Sequence, residues 1–191
     1  MPYAPPPDLA AMTLAQMDEA IAARHLPPVD MWQPVTRGDS LMRIAADGTW
    51  YHDGGVIRRP AMVRAFAALL RRDGDGQHWL VTPHEMQAIA VDDAAFIAAD
   101  MAVRHRDDGT PVIAFRLNTD DIVLAGPDHR LRAAGDPAVP ALYLAVRHGT
   151  EARLNRSTYG QLIDHALEVS SADAPGVASD HAWFSLLPGA A

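Results

Sequence analysis

Between Glu85 and Asn155 the chain offers one strand-sized segment after another, each ended by a turn signal, and only then a helix. Glu85 to Val91 is strand-like. Phe96 to His105 alternates with period two, Ile97, Ala99, Met101 and Val103 on one face against Asp100 and Arg104 on the other. Asp108-Gly109 predicts a two-residue type I′ turn into Pro111–Leu117, where Ile113, Phe115 and Leu117 align. Asp121–Ala125 and Arg130–Ala133 flank Gly126-Pro127. Pro140–Arg147 sets Leu142, Leu144 and Val146 together, and Glu151–Asn155 follows the turn at His148-Gly149. Short connections of this kind force neighbours in sequence to pair antiparallel, so the run must curl into a small sheet or barrel. The closing helix is expected from Thr158 to Glu168, capped by Ser157, with Tyr159, Leu162, Ile163, Ala166 and Leu167 on its buried face.

About seven short antiparallel strands followed by one C-terminal helix is the layout of a pleckstrin-homology-like barrel, whose open end the last helix plugs. The first half repeats the logic in reduced form. Ser40–Ala46 and Thr49–Asp53 flank Asp47-Gly48, which predicts a second type I′ hairpin. Gly54-Gly55 breaks it, and Pro60 opens an amphipathic helix expected to run to Arg72, with Met62, Val63, Phe66, Leu69 and Leu70 in one stripe. Asp73-Gly74-Asp75-Gly76 ends that helix, and Gln77–Val81 returns as a strand. Upstream, Thr13 with Gln16 marks a capped helix from Leu14 to about Arg24, and the prolines at 27, 28 and 34 exclude regular structure there. Trp32 is expected to pin that loop. The expectation is an α+β chain with a flexible tail over 1–12 and an N-terminal α+β domain over 13–84. A pleckstrin-homology-like barrel with its capping helix is expected over 85–191, and a duplication is open. The stretch from Ser170 is expected to be mobile until His181–Leu187 docks.

Composition narrows function more by exclusion than by indication. The net charge of −8 argues against nucleic acid or an anionic membrane as partner, because phosphate attraction needs a positive field. Without cysteine there is neither a disulfide framework nor a thiolate metal site. MPYAPPPD lacks the basic and apolar regions of a secretory leader, and a cytoplasmic setting is the expectation. All sixteen cationic side chains are arginine, a bias that a GC-rich genome accounts for.

No cofactor is expected: there is no GxSxG elbow, no GxGxxG and no phosphate loop with its lysine. His84-Glu85 meets Ala88 where an HExxH zinc motif needs histidine, and Asp73-Gly74-Asp75-Gly76 fails as a calcium loop because His78 and His84 occupy its later positions. No metal site is expected. His52 and Asp53 are neighbours on a strand and point to opposite faces, so they do not serve one ion together. No catalytic constellation is legible, and the chain is read as a non-enzyme.

The segment Gly48–Arg72 does suggest an anion cradle. Gly54 and Gly55 let backbone approach a ligand, Arg58 and Arg59 bring guanidinium groups, and the helix at Pro60 points its positive end the same way. Thr82-Pro83 is a stiff corner that would set Glu85 at the wall of an inter-domain cleft. Against this stands a plain alternative: Asp53, Glu85, Asp92 and Asp93 consume both arginines in salt bridges that merely staple two domains. Trp50 and Trp79 are read as core.

GTWYHDGG, RRPAMVRAFAALLRRD, LVTPHE and VDDAAF, in that order and spacing, resemble a bacterial family catalogued as domain of unknown function 1285. The likeness runs from about Pro27 to the last helix. It implies two related domains, the second superficially like a pleckstrin-homology barrel, and a cleft between them suggested to hold a nucleotide-like ligand in a signalling role. The carried-over positions are Trp50, His52, Asp53, Gly54, Gly55, Arg58, Thr82, Pro83, Glu85, Asp92 and Asp93. Ala94-Ala95 and Val56 stand where the family is expected to favour proline. Three readings follow: a module binding a nucleotide-like or other anionic small molecule, a domain that meets a protein partner, and a hydrolase using His52 and Glu85.

Overall fold

In the computed structural model, residues 6–171 and 174–189 are described. The chain divides into two compact units, one made of His25–Ile97 with Ala145–Arg153, the other of Met1–Arg24, Ala98–Leu144 and Leu154–Ala191. Strand β6, the first of the expected C-terminal domain, pairs within the sheet of the first unit, so the expected boundary at 84/85 differs from this division. Part of the expected tail (residues 1–5) lies outside the described residues. The rest is held: Leu9 is fully buried in a 3-10 turn, Leu9–Ala11, and Arg104 donates to the carbonyls of Leu9, Ala10 and Met12.

Helix α1 (Leu14–Ala22) carries the expected capping box, Thr13 and Gln16 each accepting the other's backbone N–H. The proline-rich stretch contains a 3-10 turn, Val29–Met31, where no regular structure was expected. Buried Val29 anchors it, and Trp32 packs half-buried beside it. The first unit is built on a six-stranded sheet from β1 (Thr36–Ile44), β2 (Trp50–His52), β3 (Gly55–Val56), β4 (Leu70–Arg72), β5 (His78–Val81) and β6 (Glu85–Val91). Their order is β3-β2-β1-β6-β5-β4. At its centre β1 runs parallel to β6, Thr36 opposite Glu85 and Ile44 opposite Val91. Two antiparallel three-strand halves thus join along one parallel seam. Helix α2 (Pro60–Ala67) links the two sheet edges and lays Phe66 against buried Trp50, ring centroids 6.4 Å apart.

This helix is shorter than its apolar stripe suggests. Leu70–Arg72 instead forms strand β4, because its backbone pairs with β5, Leu70 opposite Leu80 and Arg72 opposite His78. The periodicity of Leu69 and Leu70 fits either state, and tertiary pairing decides it.

The second sheet comprises β7 (Phe96–His105), β8 (Pro111–Leu117), β9 (Ile122–Leu124), β10 (Leu131–Ala134), β11 (Ala141–Ala145) and β12 (Glu151–Leu154), in the order β10-β11-β12-β7-β8-β9. The expected barrel is not closed: β9 and β10 end the order as edges. Helix α3 (Arg156–Val169) is capped by Asn155 rather than Ser157, the Asn155 side chain accepting from Thr158 N–H at 2.8 Å. Beyond it, β13 (Gly176–Ser179), where mobility was expected, pairs with β14 (Ala182–Ser185) in a small hairpin; in the segment expected to dock, Phe184 and Leu186 are buried while Trp183 is exposed.

The turns explain much of the Asp-Gly usage. At Asp47-Gly48 and Asp108-Gly109 only the glycine has positive φ, 83° and 86°. Gly48 and Gly109 donate to the carbonyls of Ala45 and Arg106 three residues back, and Asp47 and Asp108 accept from Thr49 and Thr110 N–H. These are three-residue loops, a type I turn closed by a left-handed glycine, not the two-residue turns expected. Type I′ geometry, positive φ at both central residues, occurs instead at Asp53-Gly54, His148-Gly149 and Asp180-His181.

Candidate functional site

The cluster of candidate residues on β2, β3 and the start of α2 owes its position to a bulge in β1. Pairing with β6 skips from Asp39–Ala88 to Met42–Ile89, leaving Ser40 and Leu41 unmatched. Leu41 is driven to φ 55° and stands exposed. Its neighbours satisfy the displaced groups. The Ser40 hydroxyl donates to Ala88 C=O at 2.7 Å and accepts from Met42 N–H, while Asp39 accepts from Leu41 N–H. Leu41 C=O in turn accepts from Asp53 N–H at 3.0 Å. The bulge therefore fixes the tip of the β2–β3 hairpin, the site's central element.

Within that hairpin the candidates have separate fates. His52 faces solvent, paired across the sheet with Met42 on one side and Gly55 on the other. Asp53 and Gly54 form the exposed type I′ tip, so Gly54 is required by its φ of 76° before any ligand is considered. Gly55 begins β3. Arg58 and Arg59 lie after β3, roughly 10 Å of extended chain beyond Gly55, and Ile57 N–H donates to Trp50 C=O just before them. The glycines and arginines of the expected cradle are thus set at opposite ends of β3. Trp50 is core, as expected, at 1% exposure.

Thr82 and Pro83 form the β5–β6 hairpin turn. The Thr82 hydroxyl accepts from His84 and Glu85 N–H and donates to Glu85 C=O, so its polar groups serve the turn itself. Glu85 opens β6 opposite Thr36, whereas His52 is level with Met42 and Ile89. The strand register separates His52 from Glu85 by about 13 Å along the sheet and about 10 Å across it. The pair invoked for hydrolysis does not converge.

Of the four acids, Asp92 and Asp93 are taken, but not by the arginines anticipated. Arg43 on β1 grips Asp92, Nε to Oδ1 at 2.9 Å and Nη2 to Oδ2 at 2.5 Å, and lies 5.5 Å from the Tyr51 ring centroid. That guanidinium holds the Asp92 carboxyl below its usual range. Arg153 takes Asp93 at 2.6 Å. Arg58 and Arg59 are exposed and make no ion pair or side-chain hydrogen bond with the described residues. Arg59 is the N-cap of α2 yet offers it no side-chain bond, and Pro60 takes the first helical position.

Sequence reasoning missed Arg43, Arg153 and the Ser40-Leu41 bulge. The serine two residues before a buried strand position was the only available hint. It also missed a recess in the second unit. This cavity of about 210 Å³ is lined by Ile21, Ile122 and Leu124 together with Asp18, Asp128 and Asp180. Among the described residues no group of three or more His, Asp or Glu side chains is placed to hold a metal ion, and no helix is long and apolar enough to cross a membrane.

Comparison with known proteins bears on family rather than chemistry. Residues 27–94 match the model described as "Domain of unknown function (DUF1285), N-terminal domain", and residues 95–186 match "Protein of unknown function (DUF1285), C-terminal domain". No curated protein matches the chain. A crystal structure of a DUF1285 family protein from Silicibacter pomeroyi DSS-3 is 38% identical, over 92% of this chain and 94% of that one, with a TM-score of 0.77. A second, from Shewanella baltica OS155, shares the fold at 20% identity and a TM-score of 0.51, over 65% of this chain and 91% of its own. From these matches, the chain belongs to the DUF1285 family.

Proposed function

We propose that this chain is a binding module for a small anionic ligand, with a nucleotide-like phosphate compound as the leading class, held at the start of α2. The observation that carries the reading is the state of Arg58 and Arg59. Two of the four acids expected to neutralise them, Asp92 and Asp93, are engaged by Arg43 and Arg153, and the two adjacent exposed guanidinium groups make no ion pair or side-chain hydrogen bond with the described residues. Guanidinium pairs suit phosphate and carboxylate geometry. The pleckstrin-homology-like character of the second domain, its origin by duplication, a cytoplasmic setting and a signalling role are further parts of the same proposal. No cofactor and no catalytic step are proposed.

Thermal-shift measurements with nucleotides, inorganic phosphate and carboxylates test it. A ligand that binds only the folded chain raises its melting temperature with concentration. The expected result is a shift in the parent that disappears in Arg58→Ala/Arg59→Ala. If no anion stabilises the parent, the proposal falls.

A protein-interaction module is the second reading. It is favoured by the exposure of Leu41 and Val56, apolar side chains of β1 and the edge strand β3. A change in self-association or partner capture on Leu41→Asp/Val56→Asp, with no anion effect in either protein, would favour it.

A further inference from the structure

Asp-Gly occurs at 47–48, 53–54, 73–74, 75–76 and 108–109. The dipeptide is chemically labile because the glycine amide, unhindered by a Cβ, can attack the aspartyl side chain. Two groups must be free for this: the carboxyl group, which must be protonated and reachable at its carbon, and the glycine nitrogen. The fold restrains these differently at each position.

At Asp47-Gly48 and Asp108-Gly109 both groups are engaged. The carboxylates accept from Thr49 and Thr110 N–H, and the glycine amides donate to Ala45 and Arg106 C=O. Those backbone donors hold both carboxyls below their usual range, hence ionised and poorly electrophilic. Asp73 is bound by Trp79 Nε1 at 2.8 Å and by the N–H groups of Asp75 and Gln77. At Asp75-Gly76 the glycine amide donates to Asp73 C=O at 3.1 Å. Asp53-Gly54 differs from all of these. Neither the Asp53 carboxylate nor the Gly54 amide has a hydrogen bond to the described residues, both residues are exposed, and Asp53 is held at φ 47°. A Cβ placed on Gly54 would meet nothing within 4 Å, so the tip stands in open space.

We infer that Asp53-Gly54 is the chain's site of spontaneous succinimide formation and isoaspartate conversion. The Gly54 nitrogen forms a bond to Asp53 Cγ, the carboxyl hydroxyl leaves with the amide proton as water, and a five-membered imide closes. Water then adds to one of the two imide carbonyls and breaks its bond to nitrogen. Attack at the α-carbonyl yields isoaspartate, with the chain now running through Cβ and Cγ. Attack at the other restores aspartate. No oxidant or co-reactant is needed. The extra backbone methylene at the tip is incompatible with the His52–Gly55 pairing and with the Asp53 N–H bond to Leu41 that sets this hairpin on the β1 bulge.

The test is prolonged incubation of the folded full chain near neutral pH, followed by peptide mapping with isoaspartyl methyltransferase labelling and electron-based fragmentation. The tryptic peptide from Ile44 to Arg58 holds both Asp47 and Asp53 and supplies an internal comparison. Isoaspartate at Asp53 should build up severalfold faster than at Asp47, Asp73, Asp75 or Asp108, and unfolding in urea should bring the others up towards it. Equal or faster conversion at any of those four in the folded chain overturns the inference, as does the absence of conversion at Asp53. Asp53→Asn should lose its amide, detected by mass, faster than the parent forms isoaspartate; retention of that amide over the same incubation also overturns it.

Discussion

Arg43 and Asp92 are joined by two donors of one guanidinium, linking the end of β1 to the residue that follows β6. The pair locks the open end of the parallel seam, where Asp92 N–H also donates to Ile44 C=O. Because the folded chain holds the Asp92 carboxyl below its unfolded value, its ionised form favours folding. That contribution is fully present above the ordinary carboxylate pKa near 4 and is lost as the pH falls through the depressed folded value. Asp47, Asp73 and Asp108, lowered by their own donors, act in the same direction. In urea titrations the parent should exceed Asp92→Asn in midpoint at pH 7. The difference should shrink with salt, because the pair is exposed, and vanish at low pH. A difference that persists undiminished in acid would contradict the pairing.

Leu41 should be one of the few sites where a smaller residue stabilises the chain. A left-handed conformation costs a non-glycine residue about 1–2 kcal/mol, and glycine's greater unfolded freedom returns about 0.5–1 kcal/mol of that gain. Leu41 is 60% exposed, so little packing is lost on truncation. Leu41→Gly is expected to raise stability by up to about 1 kcal/mol, and Leu41→Val to lower it, since β-branching resists positive φ. Chemical denaturation of the two variants checks the sign of each.

Ser179 is a buried joint in the second unit. Its hydroxyl accepts from Ile113 N–H at 2.8 Å and donates to Ala125 C=O at 2.7 Å, tying β13 to β8 and to the end of β9. Ser179→Ala would strand a buried donor and a buried acceptor at once. A loss of about 2–3 kcal/mol is expected, read from the unfolding midpoint at unchanged m-value.

His52 and Glu85 should behave as strangers. Separated along and across the sheet, they share no contact, so a cycle of His52→Ala and Glu85→Gln is expected to be additive within about 0.5 kcal/mol in stability. Coupling well beyond that, or a hydrolytic activity lost equally in each single variant, would revive the catalytic reading.

Local chemistry was legible in the residues and pairing was not. Thr13 and Gln16 announced their cap, and the alternation of Phe96–His105 and Pro111–Leu117 marked β7 and β8 with their observed bounds. Leu70–Arg72 read as helix because a leucine pair fits both periods, and only the backbone of β5 resolves it. Asp-Gly located the turns at 47–48 and 108–109 but not their type, which depends on whether the aspartate too must turn left-handed. The parallel β1–β6 seam left no trace, since apolar alternation reports a buried face and never names the strand beside it. For the same reason Asp92 and Asp93, expected to pair with Arg58 and Arg59, belong instead to Arg43 and Arg153.

The parallel seam also sets an order of events during folding. Every other contact in the first sheet joins strands a short loop apart, whereas Arg43 and Asp92 stand 49 positions apart and enclose both hairpins, α2 and the chain between. Closing so large a loop costs entropy before the seam returns any energy, so the two three-strand halves form early and dock late. In the interval each half presents an unpaired inner edge, β1 or β6, with Met42, Ile44 and Ile89 not yet covered. The finished sheet ends in a two-residue strand at β3, too short to recruit a neighbour. For the first sheet, exposure to aggregation through the β1 and β6 edges is therefore a matter of time, and it closes when β1 meets β6.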